Sequence, residues 1–282
     1  TFYETSINWV MVIKITLWVI WFNPNMRKIS WYYKFLVFKL KKKINLDDLV
    51  FEKKNSLDLI FNHFGTDKGT QVKNPYSKKM KKNIGHGFGK FYEKYFQELK
   101  KKKFNFLEIG IWEGASLASF HCYFRNAVIH GIDRNFKNKY KSKRIEFNYC
   151  DTTNLSDLKN LEKKFEKKKF KIIIDDGSHL LSDILHNLKF FFRFLDKGGY
   201  YIIEDYNHPK YFSYLDDTNG KELFVNKVIE NLKKKKLFKS NIFSKNDQKL
   251  FWKIIKKIHI HKGKTLKSNK NISDILFLKK ID

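Results

Sequence analysis

The sequence predicts an α/β chain built on a doubly wound, mostly parallel seven-stranded sheet, with an antiparallel hairpin at its C-terminal end and a helical extension at its N-terminal end. Three observations lead there. From Phe104 onward, apolar runs of strand length alternate with helical segments, the pattern of strand–helix–strand units. The strands are almost continuously apolar, as a sheet covered on both faces requires. Two strand-like runs, Ile254–His261 and Asp274–Lys279, close the chain with only the polar turn 262–273 between them, so they form an antiparallel pair at a sheet edge.

The N-terminal end differs in character. The chain starts at Thr1, which points to a fragment or a processed product. Ile7–Phe22 is apolar apart from Asn8, Lys14 and Thr16, and is shorter than the ~20 residues a spanning helix needs. It lacks the basic start and small-residue cleavage site of a secretory signal. With Trp9, Trp18, Trp21 and Trp31 and the basic residues downstream, residues 7–31 read either as an interfacial membrane anchor or as a segment packed on the body. If Met26 is the natural start, the upstream residues are not native. Trp31–Lys43 is a short basic-aromatic helix. Residues 1–50 are thus set apart as an extension, 51–103 as a helical lead-in and 104–282 as the core.

In the lead-in, Ser56 caps a helix that runs to Phe64 and ends at Gly65. A polar loop, Gly65-Thr66-Asp67-Lys68-Gly69, and a second glycine-rich loop, Gly85–Gly89, flank a lysine-rich connector. Phe91–Leu99 is a helix. The core elements then follow as strands Phe104–Ile109, Ala127–Ile132, Ile145–Tyr149, Phe170–Ile174 and Tyr200–Ile203, with helices Ala115–Phe124, Leu155–Lys167, Leu180–Leu195 and Lys221–Lys234.

Composition bounds the function. The 282 residues are 42% hydrophobic, enough for a core, which excludes wholesale disorder. Two cysteines, Cys122 and Cys150, exclude a disulfide scaffold or a Cys-rich zinc module and read as reduced cytosolic thiols. The charge of +29 raises a nucleic-acid or anionic-membrane partner. Against this, arginine, the preferred group for bidentate phosphate recognition, is confined to Arg27, Arg125, Arg134, Arg144 and Arg193, and the lysines spread along most of the chain. A nucleic-acid partner is therefore not favoured.

Strand after strand ends in an acidic residue: Glu108, Asp133, Asp151, Asp175/Asp176 and Glu204/Asp205. Ligands of open α/β sheets lie outside the carboxyl ends of the strands, so these carboxylates mark the site. Helix caps and turns would explain one or two of them, not the row. The first strand-to-helix turn, Glu108–Ser116, carries Gly110 and Gly114, and Asp133 lies roughly 20 residues on, where a carboxylate binds ribose hydroxyls. The glycine spacing is not G-x-G-x-x-G, and Glu108 with Glu113 would repel phosphate. An adenosine cofactor with a cationic end, S-adenosylmethionine (SAM), therefore fits better than NAD.

Asp175-Asp176 and Glu204-Asp205 end adjacent strands. Several hard oxygen ligands without cysteine suit Mg²⁺, which would orient and acidify a substrate hydroxyl. His179, on the same loop as Asp176, is placed to take the hydroxyl proton, or is a helix-start residue bonded to backbone; His208 is a lesser candidate.

The runs GTDKG (65–69), HGFGKFYEKYF (86–96), FLEIGIWEGAS (106–116), HGID (130–133), IIIDDGSH (172–179) and GGYYIIEDY (198–206) resemble SAM-dependent methyltransferases of Rossmann-like fold, specifically the macrocin and mycinamicin (macrolide-sugar) O-methyltransferases. The resemblance implies Mg²⁺ on Asp176, Glu204 and Asp205, His179 as base, and cofactor contacts at Thr66, Glu108, Gly110, Ser116, Asp133 and Asp151. It implies a cytoplasmic enzyme whose acceptor is a hydroxyl of a sugar or glycosylated small molecule, with membrane-surface contact a matter for residues 7–31. An RNA methyltransferase that modifies base amines would carry an Asn-Pro-Pro-Tyr-like motif after the fourth strand; that place holds Asp-Asp-Gly-Ser-His, and Asn74-Pro75-Tyr76 lies elsewhere.

Overall fold

The computed structural model describes residues 24–49, 55–71, 85–263 and 273–282. The chain divides into two compact units, with the boundary between Lys43 and Ile44. The described residues 55–71 and 85–103 fall in the second unit. Ile7–Phe22 and Asn74–Tyr76 fall outside the described residues.

Of the first unit, helix α1 (Pro24–Leu40) is described. It starts earlier and ends sooner than the expected Trp31–Lys43, with proline in its first turn, where a missing N–H costs nothing. Trp31 stacks on Phe35 one turn away, with centroids 5.4 Å apart. Lys43 lies over the Phe38 ring at 3.6 Å. Among the described residues no helix is long and apolar enough to cross a membrane.

The second unit opens with Ile44–Asn45, paired in parallel with Tyr140–Lys141. Helix α2 (Leu57–Phe64) follows, with Ser56 Oγ accepting the Leu59 N–H at 3.3 Å and Gly65 turning left-handed at φ 76°. Helix α3 (Gly89–Phe96) leads to β1 (Asn105–Ile109). Then come α4 (Ala115–Tyr123), β2 (Val128–Asp133), β3 (Ile145–Tyr149), α5 (Leu155–Phe165), β4 (Phe170–Asp175), α6 (Leu181–Phe191), β5 (Leu195–Glu204), the short α7 (His208–Tyr211), α8 (Val225–Lys233), α9 (Lys245–Ile254), β6 (Ile255–Lys262) and β7 (Asp274–Lys280).

The strand order is β3-β2-β1-β4-β5-β7-β6. Pairing is parallel from β3 to β5 and antiparallel at β5·β7 and β7·β6. This is the expected seven-stranded architecture with its edge hairpin. The order reverses between β1 and β4, so the crevice above their carboxyl ends is the natural ligand position. Alternate residues serve opposite faces: Phe106 and Ile172 join a core with Phe61, Tyr92 and Phe120, whereas Leu107 and Ile173 join one with Leu188, Phe191 and Phe251.

Three local expectations are corrected. Helix α9 was not anticipated, although Ser244 and Asp247 form a capping box at its start; the strand after it begins at Ile255. Helix α6 ends at Phe191 and passes through a single 3₁₀ turn, so β5 begins at Leu195 rather than Tyr200. Helix α8 spans a shorter stretch than the expected Lys221–Lys234.

Candidate active site

The loop from β1 to α4 is shaped by its neighbours. Gly110 has φ +82°, and a Cβ there would lie 2.1 Å from the carbonyl oxygen of Asp176. The Asp176 N–H in turn donates to the Ile109 carbonyl at 2.9 Å. The glycine thus admits the β4 loop; the expectation that it serves ligand approach is incomplete. Asp133, at the tip of β2, accepts the N–H groups of Ile111 (3.1 Å) and Trp112 (2.8 Å) on one oxygen and of Asn135 (2.7 Å) on the other. It fastens the loop as well as facing the crevice. Asp151 accepts from the Thr153 N–H and hydroxyl, a local turn.

A cleft of about 390 Å³ is lined by Gly110, Asp133, Asp151, Asp176 and His179. A neighbouring cleft of about 150 Å³ is lined by Thr66, Lys68, Gly110 and Ser116. Glu108, expected at the cofactor, lines neither. It is wholly buried behind the loop, where its Oε1 accepts the Ser116 hydroxyl at 2.6 Å.

The β4–β5 end is different. Lys68, from the Gly65–Gly69 loop, is 1% exposed. Its ammonium donates to Asp176 Oδ2 and to Glu204 Oε2 (2.8 Å) and lies 3.6 Å from Glu108 Oε1. The other oxygen of Glu204 accepts the Tyr92 hydroxyl. Burial alone would lower the Lys68 pKa, but Asp176, Glu204 and Glu108 together hold it well above its ordinary value. Burial pushes Glu108 up to about 7, against the pull of Lys68 and Ser116, and Glu204 up to about 8, against Lys68. One ammonium does not balance three enclosed carboxylates, so the cluster favours further positive charge.

Asp205 is buried and held well above the usual carboxylate range by that burial and by repulsion from Asp176 and Glu204. Its Oδ1 has no hydrogen-bond partner among the described residues and lies 3.5 Å from His208 Nε2; its Oδ2 lies 3.8 Å from His86 Nε2. His179 Nε2 faces Asp176 Oδ1 at 3.5 Å. Burial lowers the His179 pKa, opposed by Asp176, so its imidazole is neutral near pH 7 and free to accept a proton. His179, Asp205 and His208 each bring one ligand atom within 4.8 Å of the others. A buried carboxylate oxygen without a partner, in a negatively charged surround, fits a divalent cation.

Of the expected ligands, only Asp205 joins that compact group. Asp176 borders it through His179, and Glu204 is turned to Lys68 and Tyr92. Asp175 lies on the core side, accepting from Asn187 and Tyr201, each at 3.3 Å. Positive φ at non-glycine residues recurs here, at Trp112 (49°), His179 (59°) and Asp205 (51°), a conformation that stores strain and gathers at functional sites. Lys68, Tyr92 and His86 were not singled out from the sequence. The signal available for Lys68 was its place between glycines in the GTDKG run.

No protein-family model matches the chain. It is similar to the demethylmacrocin O-methyltransferase of Streptomyces fradiae, with 31% identity over 127 residues, covering 43% of this chain and 32% of the relative. It is also similar to the mycinamicin VI 2''-O-methyltransferase of Micromonospora griseorubida, with 28% identity over 127 residues and 43% and 31% covered. A tetracenomycin-C rhamnosyl 2'-O-methyltransferase of Streptomyces olivaceus is 26% identical over 159 residues, with 52% and 41% covered. The chain thus spans less than half the length of these curated relatives. Among solved structures it is similar to the MycE methyltransferase of mycinamycin biosynthesis in complex with Mg and SAH. That match has a TM-score of 0.59 and 20% identity, and covers 81% of this chain and 55% of that one. The solved structure shows a shared fold, and by sequence a stretch of about half of this chain or less resembles these sugar O-methyltransferases.

Proposed function

We propose that this chain is a SAM-dependent O-methyltransferase acting on a hydroxyl of a sugar or glycosylated small molecule, assisted by a divalent cation, Mg²⁺. The observation that carries the reading is the juxtaposition of a cofactor-sized cleft with a buried acidic cluster and a neutral histidine, His179, on its wall. The printed activities of the relatives, all O-methyl transfers, support it.

In this reading SAM lies along Gly110, Asp133 and Asp151, with Thr66 and Ser116 at the neighbouring cleft. The acidic surround suits its ammonium and sulfonium charges. Glu108 acts from behind the loop through Ser116. SAM would supply a methyl carbon to which the acceptor oxygen would bond as the carbon–sulfur bond broke, the electron pair staying on sulfur, and the hydroxyl proton would pass to His179 Nδ1, the ring nitrogen that does not face Asp176. Asp176 orients that imidazole. A bound cation would lower the pKa of the hydroxyl and align it; Asp205 is placed to hold it, with Asp176 and Glu204 as the neighbouring carboxylates. Most of the acceleration comes from alignment. The two free cysteines suit a cytoplasmic setting.

The test is transfer of labelled methyl from SAM to α-L-rhamnosyl glycosides by the purified protein. Label should reach a glycoside hydroxyl with Mg²⁺ present and not in excess chelator, and SAH, not NAD, should raise the melting temperature. Transfer that persists in chelator would remove the cation. Label in RNA alone, or no stabilisation by SAH, would overturn the reading.

A further inference from the structure

We propose that Lys68 is a positioning residue of this site: its buried ammonium holds one oxygen of Asp176 so that the other faces His179. The meaning of that position rests on the methyltransferase reading, but its test does not need turnover.

Lys68 is a polar-loop residue by sequence and an interior one by structure. Its side chain crosses to the ends of three strands: Glu108 in β1, Asp176 just past β4 and Glu204 at the end of β5. Burying an ammonium is costly unless its donors are matched. Here the ammonium donates to Asp176 and Glu204, and the Glu108 carboxylate lies 3.6 Å away as a third counter-charge. The loop that delivers it is itself strapped down. The Lys68 carbonyl accepts the Phe88 N–H at 2.8 Å, Asp67 O accepts His86 N–H at 2.7 Å and Gly69 O accepts Gly87 N–H at 2.9 Å. A Cβ at Gly85 would stand 2.1 Å from Gly69 O, so the second glycine-rich loop is shaped to let this strap close.

The consequence falls on Asp176. Its side chain is 23% exposed and, left alone, would turn to water. Tied to Lys68 through Oδ2, it presents Oδ1 to His179 Nε2 at 3.5 Å. Besides Asp176, the described ring contact of His179 is edge-on to His208, with centroids 5.3 Å apart. Lys68 also draws Glu204 inward, leaving Asp205 as the strand-tip carboxylate that faces the histidines. The chain Lys68–Asp176–His179 therefore sets the imidazole that the reaction uses.

The experiment reads the imidazole ¹⁵N signals of the nine histidines in the full chain, with His179 assigned by its loss in His179→Ala. Lys68→Met keeps the side-chain bulk and removes the charge. It should move the His179 signals toward those of Asp176→Asn and leave the histidines away from the site, such as His121 and His186, in place. Glu204→Gln, which removes the other partner of Lys68, should leave His179 where it is. His179 signals unchanged in Lys68→Met, or all histidines displaced together, would overturn the proposal. Should Lys68→Met fail to fold, the reciprocal measurement decides. The protected Lys68 ammonium resonance should shift in Asp176→Asn, and its constancy there would overturn the proposal. Absence of methyl transfer in the wild type would count against the reading of function and leave these signals interpretable.

Discussion

The two halves of the sheet's carboxyl edge use the same residue type in opposite ways. At the β2–β3 end, Asp133 and Asp151 face neutral partners: backbone N–H groups of Ile111, Trp112, Asn135 and Thr153 and one hydroxyl. Their negative charge shapes loops around a cleft that stands ready before any ligand arrives. At the β4–β5 end, Glu108, Asp176 and Glu204 surround a single ammonium, and Asp205 Oδ1 beside them has no hydrogen-bond partner among the described residues. One half is preorganised by hydrogen bonds; the other gathers more carboxylates than its one ammonium can match by hydrogen bonds. A carboxylate at a strand tip thus has no fixed meaning, because what it does depends on whether neutral dipoles or other charges face it.

The comparison can be broken most sharply at His179. His179→Ala should lower kcat by roughly 10²–10⁴-fold, the usual effect of removing a positioned base, with SAH affinity unchanged. Because burial lowers the His179 pKa, the neutral form needed for proton removal persists into mildly acidic solution. The kcat/KM profile should therefore rise with pH on a limb below the ordinary histidine range and stay flat above it. A limb at or above that range would show that another group takes the proton.

Next in effect, Asp205→Asn should abolish cation-dependent transfer while SAH binding survives. Asparagine tolerates the left-handed conformation found at Asp205, so the backbone is kept and the charge alone is removed. Mn²⁺ titration followed by paramagnetic relaxation provides the check. Undiminished binding would move the cation to Asp176 and Glu204.

The cofactor half is sharpened by Gly110→Ala, which places a methyl group against the Asp176 carbonyl at positive φ. The conformation alone costs about 1–2 kcal/mol, and the clash adds to it. Thermal unfolding should fall by several degrees and SAH affinity should drop with it. Loss of affinity without loss of stability would mean that the glycine serves the ligand rather than the β4 loop.

The smallest effect concerns Asp175, the buried neighbour that belongs to neither half. Burial pushes its pKa up to about 7, so the folded state keeps a proton that the unfolded chain releases at the ordinary carboxylate pKa. Its contribution to stability is complete below that ordinary value and is lost as pH rises toward 7. Asp175→Asn cannot ionise, so its melting temperature should exceed that of the wild type at pH 8 by more than at pH 5. Parallel curves would show that Asn187 and Tyr201 already compensate the charge.

Much of this molecule is legible locally. Ser56 and Gly65 mark the ends of α2 by cap chemistry that needs no tertiary context. The alternation of strand and helix fixes the topology class, and the row of acids marks the working edge. The capping box at Ser244 and Asp247 is a local signal of the same kind at the start of α9. The burial of Lys68 is not legible in the same way. No hydrophobic residue lies within three positions of it, and its three partners stand at strand ends far along the chain.

By itself, then, the sequence determined what depends on neighbours along the chain: periodicity, caps, turns and the placement of a carboxylate after each parallel strand. Tertiary structure alone decided what depends on neighbours in space. It set Gly110 against the Asp176 carbonyl, turned Glu204 inward to Lys68 and Tyr92, and left Asp205 among the histidines. The physical reason is that hydrogen bonds along the backbone are satisfied within a few residues, whereas an enclosed charge must find its counter-charge wherever the fold brings one.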